Sequence, residues 1–540
     1  MMQQDQTAMN AERLFQHYEK IADAPDAIAR LRRFILDLAV RGKLVPQDAT
    51  DEPASELLKR IAKEKLDQGD LPQGWRRAKI GSILDFHYGK GLKASERLDE
   101  GPVPVFGSNG IVGFTDEPLT VRPSIIVGRK GSAGALNLCD GPSWTTDVAY
   151  FVEAPAFFDL RFLMNALAAL DLDKLGKGVK PGLSRSEAYE QIIALPPLAE
   201  QHRIVAKVDE LMGLCDRLEA ARADRERSRD RLAAASLARL NAPDPETFQS
   251  DARFALDALP ALTTRPDQIK RLRQTILNLA VRGKLMPQDP NDEPASELLK
   301  RIAKEKARLV KAGSIPDKKE PVRDMTRLTE ELPASWSPIA LGKVCNLVTS
   351  GSRGWAEFYA TSGPGFIRAQ NIRFGKLRLD DLAFVNPPSN SEGSRTQVAK
   401  GDLLIVITGA GVTNPALLDH DPGEAYVSQH VGLVRPSDDQ LSEWLLLCLM
   451  ADAGGRAELV ERAYGAGKPG LNLDNIRSLS IPLPPLAEQH RIVAKVDALM
   501  ALCDRLEASL TATAATRRRL LDALLAEALA PGETELEAAE

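Results

Sequence analysis

No stretch of this 540-residue chain approaches the roughly 18 uninterrupted apolar residues that a membrane-spanning helix needs. Cysteine is scarce. Cys139, Cys215, Cys345, Cys448 and Cys503 are scattered, without the paired spacing of a zinc site or a disulfide framework. Six histidines form no catalytic cluster, and aromatic residues make up only 5% of the chain. Neither sign of charge dominates: 70 Lys and Arg face 75 Asp and Glu, for a net charge of −5. That balance excludes a protein that coats nucleic acid indiscriminately, since such binders are basic overall. It does not exclude a local basic face for specific binding. No GxxxxGK[ST] phosphate loop and no strand–GxG–helix unit is present, which argues against an intrinsic ATPase and against a site for a methyl donor. Scattered carboxylates leave a nuclease open. The opening MMQQDQTAMNAERLFQHYEK lacks the apolar core of a secretory signal. These absences predict a cytoplasmic protein without metal or cofactor of its own, and the length predicts two or more domains.

What is present is a doubled architecture. LPPLAEQHRIVAKVD occurs at 195–209 and, letter for letter, at 483–497, and both copies continue as LM-x-LCDRLEA, 288 residues apart. LAVRGKL at 38–44 returns at 279–285, and DEPASELLKRIAKEK at 51–65 returns at 292–306, 241 residues apart. The order is therefore unit A, a variable region, unit B, then A, a longer variable region, and B again. In unit B, Ile204, Val208, Leu211, Cys215 and Leu218 form a heptad seam that Ile492, Val496, Leu499, Cys503 and Leu506 repeat. The paired prolines 196–197 and 484–485 suit a helix start, and the first pattern runs from Leu198 to about Leu240, about 64 Å of helix. Unit A ends in a shorter helix with an acidic start and a basic end. His202, Arg203 and Lys207 lie off the seam yet recur as His490, Arg491 and Lys495. A duplicated contact with two copies of a partner accounts for that identity; gene conversion between the helices is the competing explanation.

Each variable region opens with LP-x-x-W (71–75 and 332–336) and closes with KPGL (180–183 and 468–471). Between lie short β-branched runs punctuated by glycine, proline and asparagine, which predict two mixed or mostly β domains of one fold with different loops. Polar residues gather on glycine-rich turns: Ser108 and Asn109 on GSNG; Arg129, Lys130 and Ser132 on GRKGSAG; Lys177 and Lys180 on GKGVKPG. The second region offers Arg368, Gln370, Asn371 and Arg373 on FIRAQNIRFG, Thr408 on TGAGVTN, Ser428 and Gln429 on YVSQHVG, and Lys468 on GAGKPG. Glycine lets backbone approach a phosphate, Lys and Arg neutralise it, and Arg, Asn and Gln can pair with base edges. These are the candidate DNA contacts; turn capping on a wet surface is the alternative for each.

Two divergent domains between repeated helices resemble the specificity subunits of type I restriction–modification enzymes. The carriers are the two copies of LPPLAEQHRIVAKVD and of LAVRGKL-x-PQD, with FGSNGIVG, PSIIVGRKGSAG, TTDVAY, FIRAQNI and YVSQHVGLVRP. The resemblance implies an α+β chain: an N-terminal helical unit (1–66), a first target-recognition domain (67–194), a central coiled-coil region (195–306), a second target-recognition domain (307–482, with a charged linker at 307–331) and a C-terminal helix (483–540). It implies long antiparallel helices with pseudo-two-fold repetition, the terminal unit A pairing with the final B and the central B with the central A. It further implies that each domain reads half of a bipartite site in double-stranded DNA, and that two methyltransferase subunits dock on His202, Arg203, Lys207, His490, Arg491 and Lys495. S-adenosylmethionine would belong to those partners, and ATP and magnesium to translocase–nuclease subunits that join a full restriction complex. Two other readings compete. A coiled-coil scaffold displaying protein-binding domains would share the helices but not the basic glycine turns. An adenine methyltransferase would need an aromatic after N-P-P, and NPPS at 386–389 ends in Ser389, which cannot stack on a flipped base.

Overall fold

The computed structural model describes residues 23–58, 71–175, 182–242, 244, 246–317, 325, 331–351, 353–387, 395–463 and 470–529. Helices and sheets are mixed, as the α+β expectation requires, and the chain forms two compact units: residues 1–226 with 512–540, and residues 227–511. The boundaries read from the repeats follow chain order. The compact units instead cut both long helices and regroup their ends.

In the first unit, α1 (Ala27–Val40) precedes two sheets and a strand pair. Strands β1 (Arg76–Lys79), β2 (His87–Tyr88), β3 (Val103–Phe106), β4 (Ile111–Thr115), β5 (Ser124–Gly128), β6 (Leu136–Cys139), β7 (Trp144–Thr145) and β8 (Ala149–Glu153) are followed by α2 (Leu160–Ala169), α3 (Arg185–Tyr189) and β9 (Ile192–Leu195). The larger sheet has the order β2-β8-β5-β6 and the smaller β4-β3-β7. Strand β5 is buried along its whole length, as its apolar SIIVG predicts for a central strand. Helix α2 starts where the Asp159 carboxylate accepts from the backbone N–H of Arg161 and Phe162, both at 2.9 Å. β1 pairs antiparallel with β9, which leads directly into α4 (Leu198–Asn241). This helix is 44 residues long and matches the extent read from the heptads. Its seam is the side that packs: Ile204, Val208 and Cys215 are buried, each large apolar side chain stabilising by roughly 1.5–3 kcal/mol.

The second unit repeats the plan. Helices α5 (Pro266–Val281) and α6 (Ala295–Lys311) precede β10 (Ser337–Ala340), β11 (Cys345–Ser350), β12 (Tyr359–Ile367), β13 (Ile372–Arg373), β14 (Lys376–Leu377), β15 (Ala383–Val385), β16 (Leu403–Val406), β17 (Pro415–Leu417), β18 (Ala425–Val427) and β19 (Val431–Pro436). Then come α7 (Ser442–Met450), α8 (Leu473–Arg477), β20 (Ser480–Leu483) and the 44-residue α9 (Leu486–Leu529). The sheet orders β11-β19-β16-β17 and β15-β12-β18 mirror those of the first unit, with β13–β14 as an added hairpin. Helix α6 runs on to Lys311, so the start of the expected linker at 307 is helical. The connector at 241–268 contains helices at Phe248–Asp257 and Leu259–Leu262.

The terminal unit A does meet the final helix, but there the two run parallel rather than antiparallel: Arg518 pairs with Asp26 at 3.3 Å and, one turn on, Asp522 with Arg30, while Ala24, Ala27, Leu521 and Leu525 share a buried cluster. What that expectation omits is that α1 also packs, antiparallel, on the middle of α4. Arg32 there bonds Asp216 and Glu219, both at 2.7 Å. Within this unit α4 and the end of α9 thus run in opposite directions beside α1. In the second unit Arg273 of α5 bonds Asp504 and Glu507 of α9, while the end of α4 bonds α5 through Asp230–Arg265 and Asn241–Asn278.

The short repeated strings meet each other at one junction per unit. Gly42 adopts φ 67°, and a Cβ there would come within 2.5 Å of Pro72 and 3.0 Å of Trp75. Trp75 donates from Nε1 to Glu200 at 3.0 Å, and Arg203 clamps Asp51 at 2.6 Å. The copy is the same: Gly283 under Pro333 and Trp336, Trp336 to Glu488 at 3.0 Å, and Arg491 to Asp292 at 2.5 Å. LAVRGKL, LP-x-x-W and LAEQHR therefore recur together because they form one packed joint. Burial raises the Glu200 carboxyl above its ordinary 4.5, against the lowering effect of the Trp75 and Gln47 hydrogen bonds. A raised carboxyl binds its proton more readily in the folded state, so its effect on stability worsens as pH climbs from about 4.5 through the raised value. E200Q keeps an acceptor for Trp75 but carries no charge. Comparing urea midpoints at pH 4 and pH 7.5, the wild-type chain is expected to lose more stability on the way up than E200Q. Equal losses would show that the buried charge is not what costs.

Candidate nucleic-acid interface

The glycine-rich turns are far apart in sequence, but the sheets bring them to one place. In the first unit β3 runs parallel to β7, with Phe106 opposite Thr145. The segment after β7 then stitches the turns together. Thr146 N–H donates to Phe106 O, Lys90 N–H to Thr145 O, and both Arg129 and Lys130 N–H to Val148 O. Lys130 also bridges Gly182, the end of the KPG turn. Four turns thus converge, carrying Ser108, Asn109, Arg129, Lys130 and Ser132. The approach is close: a Cβ on Gly89 would lie 2.0 Å from Thr146 O.

The second unit builds the same convergence. β12 runs parallel to β18 with Ile367 opposite Val427, Ser428 N–H donates to Ile367 O, Ile407 N–H to His430 O, and Thr408 bridges Gly470. A Cβ on Gly351 would lie 2.0 Å from Val427 O. These shared bonds pair Phe106 with Ile367, Thr146 with Ser428, Asp147 with Gln429, Arg129 with Ile407, and Lys130 with Thr408.

Individual candidates divide. Asn109, Lys130, Gln370, Arg373 and Gln429 are exposed on these turns, and Ser108, Arg129, Ser132 and Thr408 are half-buried among them. Asn371 is 2% exposed, accepts from Arg368 N–H and donates to the carbonyls of Arg378 and Asp381. Its amide is engaged in holding the turn. Ser428 is likewise buried, at 6%. Arg368 and Gln370 are tethered to Asp381, at 3.7 and 3.1 Å. Lys177, Lys180 and Lys468 lie outside the described residues, although Gly182 and Gly470 place the ends of their turns at the convergence. Of NPPS, Asn386 donates its N–H to Phe358 O, while Ser389 lies outside the described residues.

Of the helix residues, His202, His490 and Lys495 are exposed and Lys207 is half-buried beside Glu210 at 2.9 Å. Arg203 and Arg491 are engaged within the chain, so their recurrence follows from the joint rather than requiring a partner. Sequence reasoning missed Tyr88, Lys90, Trp144 and Arg185, which stand at the first convergence. Lys90 lies 5.6 Å from the Trp144 ring and accepts at its carbonyl from Trp144 Nε1 at 2.9 Å. Among the described residues no group of three or more His, Cys, Asp or Glu could hold a metal, and no helix is long and apolar enough to cross a membrane.

The family model for the type I restriction modification DNA specificity domain matches residues 72–225 and 390–514, more than half of the chain. The specificity subunit of the type I restriction enzyme EcoAI of Escherichia coli is 28% identical over 92% of this chain and 93% of its own. That of EcoEI, also from Escherichia coli, is 29% identical over 93% and 94%. A solved chain from work on complex assembly and conformational transition of the type I R-M system covers 85% of this chain and 98% of its own, at 19% identity and a TM-score of 0.48.

Proposed function

The chain belongs to the type I restriction–modification DNA specificity family, and on that premise we propose that each sheet-rich domain reads one half of a split site in duplex DNA. It is the specificity subunit, the DNA-recognition component of the system rather than its catalyst. The observation that carries the split reading is the doubled convergence: the same stitched turns, on the same sheets, with different side chains at equivalent positions. Backbone amides, Lys130 and Arg373 would engage phosphates and set the register, while Asn109, Arg129, Gln370 and Gln429 reach base edges. The long helices would set the spacer between the half-sites.

The recurrent pair of exposed His202 and half-buried Lys207, with exposed His490 and Lys495, forms the proposed docking face for two methyltransferase subunits. Those partners would bring S-adenosylmethionine for adenine methylation, and translocase–nuclease subunits would bring ATP and magnesium. The reading places the assembly in the cytoplasm, where the DNA is. Binding of the assembled complex to duplex DNA, followed against salt, tests it: affinity should fall by roughly 10³-fold or more between about 50 and 200 mM salt if six or more phosphates are engaged. Absence of salt-dependent DNA binding would leave a scaffold for protein-binding domains as the better account.

A further inference from the structure

The geometry points to Arg129 as the residue that reads a guanine in the first half-site, held in position by Tyr88. This deepens the proposed function and rests on it. The Arg129 guanidinium lies 5.3 Å from the ring centroid of Tyr88 and 6.0 Å from that of Tyr150. Arg185, the first residue of α3, lies 4.9 Å from the same Tyr88 ring and 5.7 Å from Tyr189. Tyr88 is half exposed, at 51%, beside the converging turns. Several arginines among the described residues are spent on carboxylates, as Arg32, Arg203, Arg273 and Arg491 are. Among the described residues, Arg129 and Arg185 have no such partner, and Arg129 Nε is buried without a hydrogen bond. A planar guanidinium laid against aromatic rings keeps its donor edge free and its orientation narrow, which suits bidentate donation to O6 and N7 of guanine.

Phosphate is the competing target, and the second unit argues against it. Phosphates are the same in every sequence, so a phosphate clamp belongs in both readers. Among the described residues, this cluster of two arginines on tyrosine rings occurs in one. Strand register sets Tyr88 opposite Tyr150, and Ser350 opposite Gly432. Arg129 corresponds to Ile407, which is 8% exposed, and Arg185 corresponds to Leu473 at the start of α8. All four members are replaced by residues without the chemistry. A feature built into one reader alone is a sequence-reading feature. Arg129 is accordingly the specificity-determining residue and Tyr88 a positioning residue.

Genome-wide adenine methylation by the assembled complex tests this, with the wild-type chain, Arg129→Gln, Tyr88→Ala and Tyr88→Phe. The wild-type complex should show one first-half position at which guanine is preferred at least about tenfold. Arg129→Gln should abolish that preference while every other position, the gap and the second half-site stay as they are. Tyr88→Ala should weaken the same preference, and Tyr88→Phe, which keeps the ring, should restore it. An unchanged motif in Arg129→Gln overturns the assignment. So does a uniform loss of methylation at all sequences in both Arg129→Gln and Tyr88→Ala, which would mark a phosphate contact or a purely structural role. Failure of the underlying reading looks different: the wild-type complex itself would then give no split motif.

Discussion

Replacing Trp75 with alanine is expected to cost the first unit about 3–5 kcal/mol, the largest effect of any single substitution considered. Trp75 is 1% exposed, and three repeated strings meet on it. Its ring lies over Gly42, its indole N–H satisfies the buried Glu200, and it immediately precedes β1, whose partner β9 leads into α4. Alanine would leave a cavity at the joint and a buried carboxylate with one donor fewer, two penalties that add. Trp75→Phe separates them. It refills most of the volume but not the N–H, so its cost should be nearer about 1–3 kcal/mol. Trp336→Ala should do the same to the second unit, where the indole also meets Trp444 edge-on at 5.5 Å. Denaturant unfolding checks both. A loss below about 1 kcal/mol for Trp75→Ala would mean that the repeated strings do not hold the unit together.

Much of this organisation is readable in the amino-acid sequence, because duplication makes it so. The two offsets expose the order of units, and the heptads mark the buried side of α4 and α9 and their length. The joint is harder to read. Identical copies of Arg203 and Arg491 look alike whether the constraint lies inside the chain or in a partner, and only the contacts to Asp51 and Asp292 separate the cases. The reading face is the hardest. Its turns come together through parallel pairing of strands some 40 to 60 residues apart, Val105 with Trp144 and Phe366 with Tyr426, which no local pattern announces. A search for polar residues on glycine turns finds Arg129 and Gln429. It passes over Tyr88 and Arg185, whose value comes from lying next to Arg129 in space. It also includes Asn371, whose amide turns out to serve the backbone.

The second large effect is a change of specificity by exchange. Each recognition domain has its own sheets, joins the helices through LP-x-x-W and the β1–β9 or β10–β20 pair, and shares a buried core with the helix seams, Ile35, Ile204 and Val208 in the first unit and Ile276, Ile492 and Val496 in the second. Because those junction residues recur in both units, residues 71–194 can be replaced by the corresponding segment of a relative that keeps Trp75 and the final strand, without disturbing Glu200 or Arg203. The turns and their side chains travel with the segment; the long helices stay behind.

The most direct measurement is therefore genome-wide adenine methylation by the complete methyltransferase complex carrying either the original chain or this exchange. The account predicts a motif of two short half-sites with a fixed gap, in which the exchange rewrites one half-site and leaves the other half-site and the gap unchanged. A continuous motif, a motif that both chains share, or one in which both half-sites change together would contradict it.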